Sequence, residues 1–413
     1  MNAPLPAVAR AWPEEGLARV PYWVYQGEDI YAREQEAIFR GATWTFLGLE
    51  AELPRPCDWK TTFVGDMPVV VTRDATGTLH AFENRCAHRG ALLCFAPRGH
   101  SSEIACVYHN WTYDLAGNLT AVAFRRGIRG KGGMPPDAKP ESEAPRRLRL
   151  ANYHGLLFGT LAERTPPIED YLGAEIAARV RRVMKEPVAV IGGYSQILPN
   201  NWKLYLDNTK DTYHASLLHL FFTTFRINRL SQDGGVIVGG DGGNHVSFTL
   251  RGTGTPGEEY ERGKMRSARG GYRLEAPELL DAVDEIGDGV TLQILGVFPG
   301  FVLQQISNSL AVRQVIPKGV DRTELVWTCF GYAADDQAML ARRLLQANLI
   351  GPAGFISMED GAATGFVRRG VAGAPDRASV VEMGGRGVGS DESRVNETSV
   401  RGFWQAWRRH MGI

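Results

Sequence analysis

The chain has 413 residues, 46 basic and 46 acidic side chains, 44% hydrophobic residues, nine His and five Cys. That length predicts two or three domains whose cores need no disulfide staples, and a net charge of zero argues against a nucleic-acid or polybasic membrane partner. Without an apolar run near the roughly 18 residues of a membrane span, without a basic-then-apolar leader in MNAPLPAVARAWPEEG, and with an odd, sparse set of Cys, the expectation is a cytoplasmic multi-domain protein.

In chain order, residues 1–40 read as a helical segment, amphipathic around 33–40, that packs on a later domain. From 41 to 165 the chain reads as a small all-β domain. Apolar runs at 69–72 and 79–82 flank the turn 74–77, runs at 111–113 and 119–122 flank another at 116–118, and 155–161 is a further strand. Residues 164–167 punctuate the end of this domain. From 166 to 413 the classes mix. Helices are expected at 171–184, 201–222, 335–350, 356–367 and 396–411, and strands at 290–297, 301–307, 310–316 and 324–332. The short spacing of those strands predicts an antiparallel meander, and glycine runs at 234–235, 239–243 and 384–389 read as loops. A sheet covered by helices makes the whole chain α+β.

Two clusters in the β domain carry metal-ligand chemistry. Cys86-Ala87-His88 is followed after seventeen residues by Cys106-Val107-Tyr108-His109. Each brings one thiolate and one imidazole to a loop tip. Structural zinc takes Cys₂His₂ sets, but usually with the Cys paired first and the His second. Mixed clusters let both Cys take one iron and both His the other, as in a Rieske [2Fe–2S] centre. Cys57, Cys94 and Cys329 have no such company and read as ordinary core residues. The stretches 86–90 and 106–111 resemble the Rieske motif of ring-hydroxylating oxygenases.

The second cluster lies in 201–219, where Asp211, His214 and His219 follow Asn201-Trp202-Lys203. Non-heme Fe(II) sites use two His and one carboxylate, leaving the opposite face open. Five residues span about 140° of an α-helix, too far for one metal unless the helix ends or bends between the two His. Asp211, three before His214, is expected on the same helical face as an acceptor for its ring N–H. Asp-x₂-His-x₄-His resembles the catalytic segment of the same oxygenases, although Asp207 stands where that family usually has Glu.

The resemblance covers nearly the whole chain and implies a catalytic domain built on a helix-grip sheet. It further implies that His214, His219 and Asp360 hold a mononuclear Fe(II), Asp360 being preferred to Glu359 because it directly precedes Gly361, and that Asp211 and Asn208 are catalytic without being ligands. By the same resemblance, electrons come from NAD(P)H through a separate reductase, and a neighbouring subunit's cluster feeds each iron, with Asp211 bridging His214 and the neighbour's His109. A small β subunit completes an α3β3 assembly. The substrates implied are O₂ and an aromatic carboxylate; terephthalate is expected, with salicylate and anthranilate the alternatives. Arg313, on a strand apolar on both faces, would be costly to bury unless a carboxylate met it. Arg394 resembles a second carboxylate-binding position, and Ser247 adds a hydroxyl. Two competing readings remain open: a Rieske electron carrier, which needs no second iron site, and a zinc-stapled binding protein, which would be colourless.

Overall fold

The computed structural model describes residues 10–239, 241–252, 258–265, 272–351 and 355–413. Residues 1–9 of the expected N-terminal segment, Gly240 of the glycine run and residues 352–354 ahead of Asp360 lie outside the described residues. The chain divides into two compact units, 39–168 and 1–38 with 169–413.

The second of these begins with β1 (Arg19–Pro21) and α1 (Glu28–Glu34). Glu34 is fully buried, and its carboxylate takes Lys203 Nζ at 2.6 Å and the indole N–H groups of Trp202 and Trp407 at 2.8 Å each. A buried charge is tolerable only with such complete pairing, and the pairing ties the N-terminal segment to the residues that follow position 200.

The unit 39–168 is all β. Strands β2 (Thr45–Leu49), β3 (Asp58–Val64), β4 (Met67–Arg73), β5 (Leu79–Glu83), β6 (Arg98–His100), β7 (Ile104–Ala105), β8 (Thr112–Tyr113), β9 (Leu119–Ala121), β10 (Arg149–Tyr153) and β11 (Leu156–Thr160) form three antiparallel sheets, ordered β10-β11-β2, β5-β4-β3-β6 and β7-β8-β9. The expected turn at 74–77 forms as read. Asp74 Oδ1 accepts the N–H groups of Thr76 and Thr78 at 2.9 Å, and Gly77 takes φ +90°, a conformation that favours glycine.

The larger unit continues through α2 (Ile168–Leu172), α3 (Ala174–Val183), β12 (Val188–Leu198), α4 (Trp202–Lys210), α5 (Ala215–Leu218), α6 (Leu220–Thr224), β13 (Gly234–Val238), β14 (His245–Leu250), α7 (Glu258–Arg262) and β15 (Val290–Val297). It ends with β16 (Phe301–Ile306), β17 (Ser309–Pro317), β18 (Thr323–Tyr332), α8 (Gln337–Ile350), α9 (Phe355–Val371), β19 (Ala378–Val380) and α10 (Thr398–Met411). The four-strand meander is present as expected but belongs to a seven-stranded antiparallel sheet, β12-β18-β17-β16-β15-β14-β13. Three elements depart from the sequence reading. Residues 188–198 form an edge strand in which exposed and half-buried residues alternate over 193–197 and only Leu198 is fully buried. Residues 234–235 begin β13 rather than a loop, because a Cβ on Gly234 would strike the Phe248 carbonyl and lie 3.1 Å from Arg394 Nε. The expected helix over 171–184 is interrupted at Gly173, φ +77°. Among the described residues no helix is long and apolar enough to cross a membrane.

Candidate metal centres and ligand cavity

Two loops in the all-β unit repeat one geometry. Cys86 N–H donates to Ala91 O at 2.8 Å and Gly90 N–H to Cys86 O at 2.9 Å; Cys106 N–H donates to Trp111 O at 2.8 Å and Asn110 N–H to Cys106 O at 2.9 Å. Gly90 and Asn110 take φ +76° and +54°, the left-handed turn that Gly and Asn tolerate best. Each loop therefore opens on a buried thiol and carries its imidazole two or three residues on. The rings of His88 and His109 sit 4.5 Å apart, and Trp111 stacks on His88 at 4.7 Å. Burial pushes the Cys86 thiol up, and neighbouring Cys106 adds to this against a hydrogen bond from Tyr113. An anionic sulfur is stable there only beside a cation, so the donor set fits a metal cluster. Burial alone pushes Cys94 up to about 12 and also raises Cys329; all five cysteines are free of disulfides.

In the larger unit the break between the two His is built by Asp211. Helix α4 starts where the Asn201 side chain caps Lys203 N–H and stops at Asp211, whose backbone is extended at ψ 108°. Asp211 Oδ1 then accepts the N–H of Tyr213 at 2.8 Å and of His214 at 3.3 Å, opening the next turn. The expected shared helical face is therefore replaced by a turn in which Asp211 Oδ2 lies 3.4 Å from His214 Nδ1 at ion-pair distance, without hydrogen-bond alignment. His219 falls between α5 and α6. The corner defeats the 140° separation, and the two rings stand 5.4 Å apart.

Asp360 meets them from α9, where Thr364 accepts a hydrogen bond from Asn200 at 2.9 Å and donates to Asp360 O at 2.8 Å. Its Oδ1 lies 3.5 Å from His214 Nε2 and 3.2 Å from His219 Nε2, and the three residues each offer a donor atom within 4.8 Å of the others. Asp360 Oδ1 is buried without a hydrogen-bond partner among the described residues, as expected of an atom that faces a cation, while His214 Nδ1 is turned toward Asp211. Burial opposes a charged imidazole at His214, but Asp211 and Asp360 outweigh it and push this ring up to about 10. Asn208 Nδ2 lies 3.3 Å from His214 Nε2. Glu359, set aside as a ligand on sequence grounds, contacts His219 Nδ1 at 2.8 Å, where it fixes the ring so that Nε2 faces inward.

The cavity beside this triad is lined by Arg313, Arg394 and Ser247, together with Asn208, Asp211 and the triad itself. Both arginines are buried, 6% and 4% exposed, and neither has a carboxylate partner among the described residues. Arg313 lies on β17, whose nine residues are all buried. It donates to Tyr205 Oη at 3.0 Å and to Gln304 Oε1, and it packs 4.3 Å from the Trp327 ring centre. Arg394 donates to Asn228 Oδ1, to Arg229 O and, at 3.1 Å, to Gln232 O; burial pushes it down to about 10. The Nε of each has no hydrogen-bond partner among the described residues. Sequence reasoning missed Tyr205, Gln304, Asn228 and Trp327. The Gln304-Gln305 pair in an otherwise apolar strand was a usable signal; Asn228 offered none.

Comparison with known proteins agrees with this layout. Residues 43–129 match the Rieske [2Fe–2S] domain, and residues 176–413 match the ring-hydroxylating alpha subunit catalytic domain. The chain is 55% identical over 401 residues to terephthalate 1,2-dioxygenase terminal oxygenase subunit alpha 2 of Comamonas sp., covering 97% of each. It is 45% identical to the large subunit of anthranilate 1,2-dioxygenase of Burkholderia cepacia, covering 97% of this chain and 95% of that one. A solved structure of naphthalene 1,2-dioxygenase from Rhodococcus sp. superposes with a TM-score of 0.80 at 22% identity, covering 95% and 94% of the two chains, which speaks to fold. A Rieske domain implies a [2Fe–2S] cluster and the catalytic domain a mononuclear iron, and the donor sets fit both. The chain thus belongs to the alpha subunits of the Rieske-type ring-hydroxylating dioxygenases.

Proposed function

We propose that this chain is the oxygenase alpha subunit of a terephthalate 1,2-dioxygenase, holding a [2Fe–2S] cluster on Cys86, His88, Cys106 and His109 and a mononuclear iron on His214, His219 and Asp360. The observation that carries the substrate assignment is the pair of buried guanidiniums, Arg313 and Arg394, facing the triad's cavity without a carboxylate of their own among the described residues. A buried guanidinium lacking a counter-charge is costly, and a ligand with a carboxylate at each end of one ring supplies two. Identity of 55% to a terephthalate dioxygenase subunit supports the same reading.

When bound, the two iron groups supply single electrons and O₂ activation; the remaining tasks fall to side chains. Arg313 and Arg394 fix the two ends of the ring, and Ser247, buried on β14, adds a hydroxyl. Tyr205 and Gln304 hold the first guanidinium, Asn228 and two backbone carbonyls the second, so little reorganisation accompanies binding. Leu292, Ile294 and Ile306 line the same cavity and exclude water from the ring faces. Asp211 holds His214 at Nδ1, Asn208 borders the Nε2 side of the ring, and Asp211 is the link to the neighbouring subunit's cluster. The reading includes a reductase drawing on NAD(P)H, a small β subunit in an α3β3 assembly, and a cytoplasmic setting, which five unpaired cysteines suit.

The test is turnover by the iron-loaded protein with a matched reductase on terephthalate, benzoate, salicylate and anthranilate. Terephthalate should lead benzoate by at least a decade in kcat/KM. Equal turnover of salicylate or anthranilate would reassign the chain to monocarboxylates, with Arg313 alone as anchor.

A further inference from the structure

We infer that a second cavity beside the substrate site is a cationic antechamber that gathers aromatic carboxylates before they reach the iron, an inference that rests on the carboxylate reading above. This cavity has a volume of about 370 Å³, within the range of small-molecule sites. Ile306 and Ile350 line both it and the substrate cavity, so the two spaces share an apolar wall at these residues. Three of its lining residues are Arg226, Arg229 and Arg251, and none among the described residues is Asp or Glu. Among the described residues none of these arginines is paired with a carboxylate.

The three side chains differ in a telling way. Arg226 and Arg251 are exposed, with no side-chain partner among the described residues; only their main-chain N–H groups are engaged, to Thr223 O at 3.4 Å and to Gly289 O at 2.7 Å. Arg229 is half-buried, donates to Thr223 O at 2.8 Å and packs 5.6 Å from the Tyr260 ring centre. Its own carbonyl accepts a hydrogen bond from Arg394. One residue therefore sets a guanidinium at the outer cavity and a backbone acceptor on the inner carboxylate-binding arginine. Burial and the nearby charge of Arg226 both disfavour the protonated form of Arg229. Like charges gathered around a concave surface contribute nothing to folding. They focus the field outward and raise the local concentration and encounter rate of an anion, while Leu279, Leu280 and the two shared isoleucines accommodate a ring.

The experiment uses the holoenzyme carrying Arg226→Gln and Arg251→Gln together, compared with the parent and with the double Lys variant. The quantities are kcat/KM for terephthalate across ionic strength and its dissociation constant by calorimetry. The Gln variant should lose roughly tenfold in kcat/KM at low salt, in KM rather than kcat, and lose most of the salt dependence that the parent shows; the Lys variant should restore both. A Gln variant with the parent's kcat/KM and salt slope overturns the antechamber while leaving the substrate reading intact. So does a loss that appears only in the dependence on reductase concentration, which would make the patch a docking face for that protein. A parent that neither binds nor oxidises terephthalate but accepts a neutral ring overturns the substrate reading, and the antechamber falls with it.

Discussion

Replacing Arg394 by Ala should narrow the preference for terephthalate over benzoate. Arg394 uses three of its N–H groups on Asn228 Oδ1, Arg229 O and Gln232 O, which leaves Nε–H and one Nη–H for a ligand. A charge-assisted pair of this kind contributes about 1.5–3 kcal/mol. At a side chain only 4% exposed the upper part of that range applies, corresponding to roughly a hundredfold in affinity. Calorimetry on the iron-loaded protein should show that loss for terephthalate and a much smaller one for benzoate, which offers only one carboxylate. The Lys variant separates charge from geometry: it keeps the charge but not the planar fork, and should recover part of the affinity. If Arg313 serves the remote carboxylate instead, Arg313→Ala shows this behaviour and Arg394→Ala weakens both substrates, so both are required. Should neither variant change the terephthalate-to-benzoate ratio, the two-ended grip is refuted.

The two metal centres should be separable. His214→Ala or Asp360→Ala should abolish hydroxylation and keep the visible spectrum of the Rieske centre, while Cys86→Ala should bleach it; a folded Asp360→Ala protein without that spectrum would count against the assignment. Asp211→Asn should retain iron and slow single-turnover oxidation of the cluster, because the amide keeps the cap on the turn but not the charge beside His214; turnover at the parent's rate would remove its linking role. Glu359→Gln should weaken iron binding roughly tenfold in a chelator competition through the loss of the carboxylate behind His219 Nδ1, and unchanged affinity would show that the contact is incidental.

The parts legible in the sequence were those whose chemistry and geometry are local. The loops at Cys86 and Cys106 close within five residues, so spacing alone described them. The interval between His214 and His219 signalled that a helix had to break, but the device, Asp211 ending α4 and capping the next turn, is a side-chain-to-backbone preference that periodicity does not encode. Strand β12 was missed because its alternation is not written in residue type, Gln196 being half-buried while Ile197 is exposed, and its place in the sheet comes from pairing with β18, more than a hundred residues away. Gly234 looked like loop punctuation when its lack of a side chain answers to Phe248 and Arg394. The partners of the two arginines, from Tyr205 to Asn228, come together only through tertiary packing.

The two arginines also differ in what holds them. Arg313 stands in the middle of a strand hydrogen-bonded on both sides, to β16 and β18. Arg394 lies in the stretch ahead of α10, and two of its acceptors are carbonyls of the segment 229–232. The clamp thus resembles a calliper with one jaw machined into the frame and the other mounted on an adjustable arm. A lineage adapting to a longer or shorter diacid has reason to leave the sheet alone and to revise segments 228–232 and 390–396, where insertions and substitutions are tolerated most readily.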